Sequence, residues 1–429
     1  MADQKARQIV DAALANIATC NGDIHALIHV DPYVARSQAD DLDHGGIFGG
    51  PLFGETFVVK DLIDVAHQPT QAGSRLFGNR PAEQDASCVS SLKAAGAIVL
   101  GKANMHELAV GGAVNPWFGQ VINPLSRAHG TGGTSSGSAA AVASGLCSFA
   151  LGTDSGGSNR SVAAACGLFG YKPTHDTIVS SGIMPTAPSM DSVGVIANTA
   201  EMISTCWRVL TDEKKSASGE SLQGRTFARI DNLLSSPVDG TVSDAWALAF
   251  TTIAGLGGRV VALEVQAPQA LAKAGVVILR HEFAELYGEK IDRSADRVGP
   301  AVHAFLAASR QISGAQFEDA KALRAEHQAR WASMLADVDG FLSPTAPGLA
   351  PDLADEMTAV GATRVAYGAA GAEFRMWANT IGIPAVAIPV QPTKGLPASV
   401  QLAGAMHTDG LLLDLAAALG RAMTEKIAA

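Results

Sequence analysis

The chain has 429 residues, 47% of them apolar and 17% charged, which is ample material for a large buried core, and its formal charge is −10. An acidic chain without a basic run does not attract nucleic-acid backbones or anionic membrane surfaces. No run of about 18 apolar residues occurs, so no transmembrane helix is expected.

Residues 5–19 read as a helix with Ile9, Ala12, Ala13 and Ile17 along one face. A Gly-rich stretch over 45–54 follows as loop, and residues 56–59 form a short apolar run that suits a buried strand. Helix and strand then alternate. Residues 86–95 predict a helix and 97–100 a strand; 243–255 precede a strand at 259–263; 315–336 precede one at 340–342. Residues 383–390 and 399–403 read as strands, and 410–427 as a closing helix. This order predicts an α/β fold with a mixed, largely parallel central sheet covered by helices on both faces. No linker or repeat marks a boundary, so residues 1–429 read as a single domain with a helical cover at about 270–335.

Five scattered cysteines (Cys20, Cys88, Cys147, Cys166 and Cys206) show no CxxC and no Cys/His metal spacing. Neither a disulfide framework nor a metal is expected, and a reducing, cytoplasmic compartment fits. The N-terminus MADQKARQIVDAAL is charged and helix-like, without an apolar signal core. The histidines are dispersed. His106-Glu107 and His281-Glu282 read as surface or core residues, and His129 as structural or as lining a pocket mouth.

Two segments do not fit a packed core. Residues 130–145 run GTGGTSSGSAAAVASG and residues 152–160 run GTDSGGSNR. Glycines allow close backbone approach and positive φ, and N–H groups freed in such loops form anion-binding nests. The small-residue run 139–143 places the first loop at a helix N-terminus. A phosphate-binding loop would need GxxxxGK[ST], which is absent. A flexible linker would not be flanked by AAAVASG and CSFALG. Gly133-Thr134-Ser135-Ser136-Gly137 matches GxSxG, but SRAHGTG before it is a poor strand.

In this order the two loops resemble the amidase signature, a GGSSGGS-like loop, a small-residue helix and then GTDxGGSxR. The likeness extends to GETFVVKDLIDV (54–65), GLFGYKPT (167–174), APSMDSV (187–193), PTAP (344–347), IGIPAVAIPV (381–390) and LPASVQLAG (396–404). It covers about residues 5–420. The family uses a Ser–Ser–Lys triad. By position the resemblance puts the nucleophile on Ser158, the base on Lys60 and the middle hydroxyl on Thr134, following a cis peptide bond at Gly133–Thr134. Serine is usual where Thr134 stands, and Ser135 is a neighbouring alternative for the relay. A lysine acts as base only when neutral, and burial lowers its pKa. The resemblance places an oxyanion hole on the backbone N–H groups of Ser155, Gly156, Gly157 and Ser158, with Asp154 and Arg160 bracing the loop. Proline is usual two positions after that arginine, whereas Ser161-Val162 follows here.

The resemblance implies hydrolysis of a small-molecule amide through an acyl-enzyme, without cofactor or metal. Two alternatives stand beside it: the amidase subunit of a tRNA-dependent amidotransferase, against which Leu62 stands where Asn is usual, and a non-catalytic protein on the same fold. A homodimer is compatible with an exposed helical cover. Specificity is expected from residues 200–380, where Trp207, Trp246, Trp331, Tyr287 and Tyr367 suit packing. Arg375 and Trp377, just before the 381–390 segment, are placed to reach the pocket.

Overall fold

Side chains on the strand Thr56–Lys60 alternate between two apolar layers, as the period of a strand dictates. Phe57 and Val59 join one layer, Val58 the other. The neighbouring strand Phe149–Thr153 repeats this, Phe149 and Leu151 pointing one way and Ala150 the other. A strand buried on both faces needs helices on both sides of its sheet. One layer is closed by the helices Ser87–Ala94, Ala200–Thr211, Gly240–Gly255 and Asp409–Ala428, and the other by Ala6–Ile24, Pro32–Gly45, Ser136–Ala143 and Ser158–Cys166. The computed structural model describes residues 5–45, 50–213, 221–390 and 395–428.

The sheet has eleven strands and is mixed. Parallel pairings join Ile98–Ala103 to Thr56–Lys60 and Thr56–Lys60 to Phe149–Thr153. At the other end Thr226–Ile230 lies parallel to both Gly340–Pro344 and Arg259–Leu263. Antiparallel strands, including Ala385–Val390 and Ala398–Ala403, connect the two groups through the middle.

The stretch 270–335 is helical, formed by Pro268–Arg293, Pro300–Ser309 and Gly314–Leu335. Ser313 opens the last of these with a reciprocal capping box to Gln316. This group packs against the helix Tyr367–Ile381.

Between the first helix and the Gly-rich stretch lie two elements that the sequence pattern does not suggest. They are the strand Leu27–Val30 and the helix Pro32–Gly45. His25 in the left-handed region ends the first helix, Asn21 pairs with both backbone groups of Leu27, and Asp31 accepts from the Val34 N–H at 3.0 Å to start the second. Polar side chains thus set these boundaries within a segment too short for a hydrophobic period to show. Residues 46–49 of the expected loop lie outside the described residues.

Candidate active site

The strands Thr56–Lys60 and Phe149–Thr153 run parallel and end side by side. The crevice beyond the carboxyl ends of parallel strands is where α/β sheets place ligands. Lys60 is the last residue of the first strand and Thr153 the last of the second. Five residues further, Ser158 opens the helix Ser158–Cys166. Its backbone therefore sits at the positive end of a helix dipole.

Lys60 is fully buried. Its Nζ lies 2.9 Å from both Thr134 Oγ1 and Thr153 Oγ1. Burial lowers its pKa from 10.5 to about 7, against the upward pull of Asp154 and Asp191. The next residue, Asp61, is tied to buried Lys102 at 3.2 Å and accepts from the Gly73 N–H at 3.0 Å. These contacts fix the chain where it leaves the strand.

The structure brings Lys60 and Thr134 together, with Ser158 lining the same cavity as Thr134. The Ser158 hydroxyl donates to the Thr153 carbonyl. Rotation about χ1, one staggered well to another, would release it. Ser135 Oγ turns away, donating to Thr153 O at 3.2 Å and to Asn159 Oδ1 at 3.0 Å in the buried interior. The peptide bond Gly133–Thr134 is trans, as are all described peptide bonds, which corrects the expectation of a cis bond there. Thr134 reaches Lys60 from this trans backbone.

The loop 154–158 is held from below. Asp154 accepts from Arg160 Nε and Nη2, both at 3.1 Å, and from Asn379 Nδ2 at 2.8 Å. Burial acts to raise its carboxyl, but Arg160 and these hydrogen bonds prevail and hold it well below the usual carboxylate range. Arg160 continues to Gln401 Oε1 at 2.9 Å and Asn379 Oδ1 at 2.7 Å. Both partners of the Asp154–Arg160 pair are fully buried. Arg160→Met is therefore expected to cost about 3–5 kcal/mol by leaving a buried carboxylate unpaired. Urea unfolding followed by circular dichroism measures this, and a loss under 1 kcal/mol, roughly a surface-level effect, would refute the bracing role.

Asp154 Oδ1 also takes the Gly157 N–H at 2.7 Å. Among the described residues the N–H groups of Ser155, Gly156 and Ser158 meet no protein acceptor. Gly157, one of the four donors expected for an oxyanion, thus has its N–H engaged by a carboxylate that shapes the turn. Gly157 has φ +108°, and a Cβ there would lie 2.5 Å from Arg375 Cβ. Only glycine fits.

These groups open into a cavity of about 540 Å³ that also touches His106, Arg280, Phe305, Glu356, Arg375 and Met376. His106, by sequence an ordinary surface or core residue, instead lines this cavity. It is buried, with its pKa lowered to about 4 by burial and then by Lys60. Its Nδ1 lies 3.0 Å from the Gly111 carbonyl, which can only accept, so the neutral ring carries its proton there and keeps Nε2 as an acceptor. Thr153 is equally unforeseen as a partner of Lys60. Lys172 is a further buried lysine, its pKa lowered to about 7 by burial and then by Arg160, and its Nζ donates to the Pro173 carbonyl at 2.6 Å. His129 lies elsewhere, beside Asp352 in a separate depression.

Of the pair expected to reach the pocket, Arg375 does and Trp377 does not. On the helix Tyr367–Ile381, Gly368, Ala369, Ala372, Arg375 and Met376 form one stripe facing the cavity. Trp377 points into the core against Trp331, their ring centroids 5.8 Å apart. Two residues of helix turn a side chain to the far face.

The family model described as Amidase matches residues 8–413. The A subunit of glutamyl-tRNA(Gln) amidotransferase from Solidesulfovibrio magneticus is 30% identical, the alignment covering 97% of this chain and 93% of that protein. A crystal structure of an amidase superposes with a TM-score of 0.90 at 29% identity, covering 97% of this chain and 96% of the other. The A subunit of glutamyl-tRNA(Gln) amidotransferase from Thermotoga maritima superposes with a TM-score of 0.83 at 25% identity, covering 98% and 92%.

Proposed function

This chain belongs to the amidase family, and from that membership we propose that it hydrolyses a small-molecule amide through an acyl-enzyme on Ser158. The observation that carries the reading is Lys60. It is a buried lysine lowered to about 7, bonded at 2.9 Å to a hydroxyl that lines the same cavity as Ser158.

Ser158 Oγ attacks the amide carbon while its proton passes to Thr134 Oγ1, whose own proton passes to neutral Lys60 Nζ. The carbonyl oxygen becomes an oxyanion held by the N–H groups of Ser155, Gly156 and Ser158, aided by the helix dipole. Collapse breaks the C–N bond, and the proton returns through Thr134 to the leaving nitrogen, releasing ammonia or an amine. Water then attacks the Ser158 ester, its proton taken by the same relay; the C–Oγ bond breaks, the relay returns the proton to Ser158 Oγ, and the acid leaves. Asp154 and Arg160 position the loop without touching the reacting atoms.

A fluorophosphonate probe followed by peptide mass spectrometry tests the reading. An adduct on Ser158 is expected. An adduct on Ser135, or none after full exposure to the probe, would overturn it. Thr134 gives a second test. Thr134→Val keeps the volume and removes the hydroxyl, so kcat/KM should fall by about a hundredfold or more. Thr134→Ser keeps the relay and should stay within a few-fold of the native rate. Equal rates for both variants would remove Thr134 from the mechanism.

The named relatives favour a second reading, as the amidase subunit of a tRNA-dependent amidotransferase. Leu62 stands against it. The isolated chain releasing ammonia from simple amides supports the first reading; activity that appears only when the other components of such a complex are added supports the second. A homodimer belongs to the first reading and is checked by sedimentation. All five cysteines are unpaired, which supports a reducing, cytoplasmic location. No helix among the described residues is long and apolar enough to cross a membrane.

A further inference from the structure

The wall of the cavity that holds Ser158 is mostly apolar, built from Val276, Leu279, Phe305, Ala372 and Met376. Two arginines interrupt it. Arg280 follows Leu279 on the helix Pro268–Arg293, one turn from Val276, and its guanidinium carbon lies 5.3 Å from the Phe305 ring centre. Its Nε is buried without a hydrogen-bond partner, and among the described residues Arg280 forms no ion pair. Arg375 is 3% exposed and donates from Nη1 to the Thr345 carbonyl at 2.8 Å, while its Nε too is buried and unpartnered. The acid at this cavity, Glu356, is an exposed side chain that accepts from the Ala113 N–H at 3.3 Å.

Burying guanidinium donors without acceptors is costly. Elsewhere in this chain the buried arginine is fully engaged, as Arg160 is by Asp154, Asn379 and Gln401. Arg375 is partly used by the frame, since it packs on Gly157 and bonds Thr345. Arg280, without a hydrogen bond or ion pair among the described residues, rests its planar fork beside the Phe305 ring at the wall of the cavity. A carboxylate matches that fork with parallel charge-assisted hydrogen bonds.

We infer that Arg280 is a specificity-determining residue that binds a carboxylate on the substrate, so the amides this protein takes are acid-bearing ones such as half-amides of dicarboxylic acids. This rests on the reading of Ser158 as nucleophile. Phe305 orients the guanidinium by its ring face, Arg375 adds positive field, and the apolar wall takes the methylene spacer.

The test pairs each acid amide with a neutral amide of the same carbon count: succinamate with butyramide, glutaramate with valeramide, and adipamate with hexanamide. The readout is the ratio of kcat/KM within a pair. In the native protein the best pair should favour the acid by about tenfold or more. Arg280→Gln should bring that ratio towards unity, through KM, with Arg280→Lys between. A native ratio at or below unity for every pair, or a ratio unchanged in Arg280→Gln, overturns the inference. Glutarate binding by titration calorimetry needs no reaction and separates the two readings. Glutarate bound at least about tenfold more weakly by Arg280→Gln supports the carboxylate site even if Ser158 takes no fluorophosphonate. Glutarate bound equally by both proteins, or by neither, overturns it even if Ser158 is labelled.

Discussion

Ser158→Ala is expected to lower kcat by about a millionfold, the scale on which serine hydrolases lose activity when the nucleophile is removed. Residual turnover would come from the backbone N–H groups of Ser155, Gly156 and position 158, which the substitution keeps, and from binding alone. The fold should tolerate the change. Ser158 is half-buried, and its hydroxyl bonds only the Thr153 carbonyl. Losing that bond costs about 0.5–1.5 kcal/mol. Ammonia release, measured beside a thermal melt, checks both statements. Retention of more than about one per cent of native kcat by a folded variant would place the nucleophile elsewhere.

Lys60→Met should reduce kcat/KM by about a hundredfold to ten-thousandfold, the range for a positioned general base. The native pH profile supplies the companion result. With a pKa of about 7, Lys60 is charged and unable to accept a proton below that pH. Native kcat/KM should therefore fall about tenfold per pH unit below 7 and level off above it, and the variant should lack this limb. Stability should depend on the same proton, in a higher pH window. Between about 7 and 10.5 the unfolded chain binds the Lys60 proton and the folded chain does not, so native stability rises with pH through this window. Methionine removes the penalty of a buried cation, although it leaves the Thr134 and Thr153 hydroxyls without a partner. A variant at least as stable as the native protein near pH 7, but nearly inactive, is the expected outcome. Full activity in that variant would remove Lys60 from the chemistry.

The sequence made the proposed reacting groups legible in a particular way. Lys60 in FVVKDLI reads by itself as a lysine at a strand end reaching for solvent; only the order of motifs across the whole chain pointed inward, and the structure buries it. Asp154 and Arg160 lie within one short motif and were legible as a brace. Asn379 and Gln401, which complete that brace, were not, because only packing of the Tyr367–Ile381 helix and the Ala398–Ala403 strand brings them near. His106 carried no signal beyond its identity. Arg280 lies in a 26-residue helix that buries residues on several sides, so no single face announced itself. Trp377 misled for a related reason: nearness in sequence to Arg375 said nothing about which side of the helix met the cavity.

The ties from Arg160 to Asn379 and Gln401 have a consequence for biosynthesis. These contacts span 219 and 241 residues. A ribosome that has extruded Ser158 and its helix has not yet made the strand carrying Gln401. Loop closure over such separations comes late, so the emerging chain carries its serine on an unbraced loop until residue 401 has left the ribosome. Hydrolytic competence should therefore appear abruptly once the strand carrying Gln401 has emerged, and arrested chains that stop short of residue 401 should be inert towards the fluorophosphonate probe.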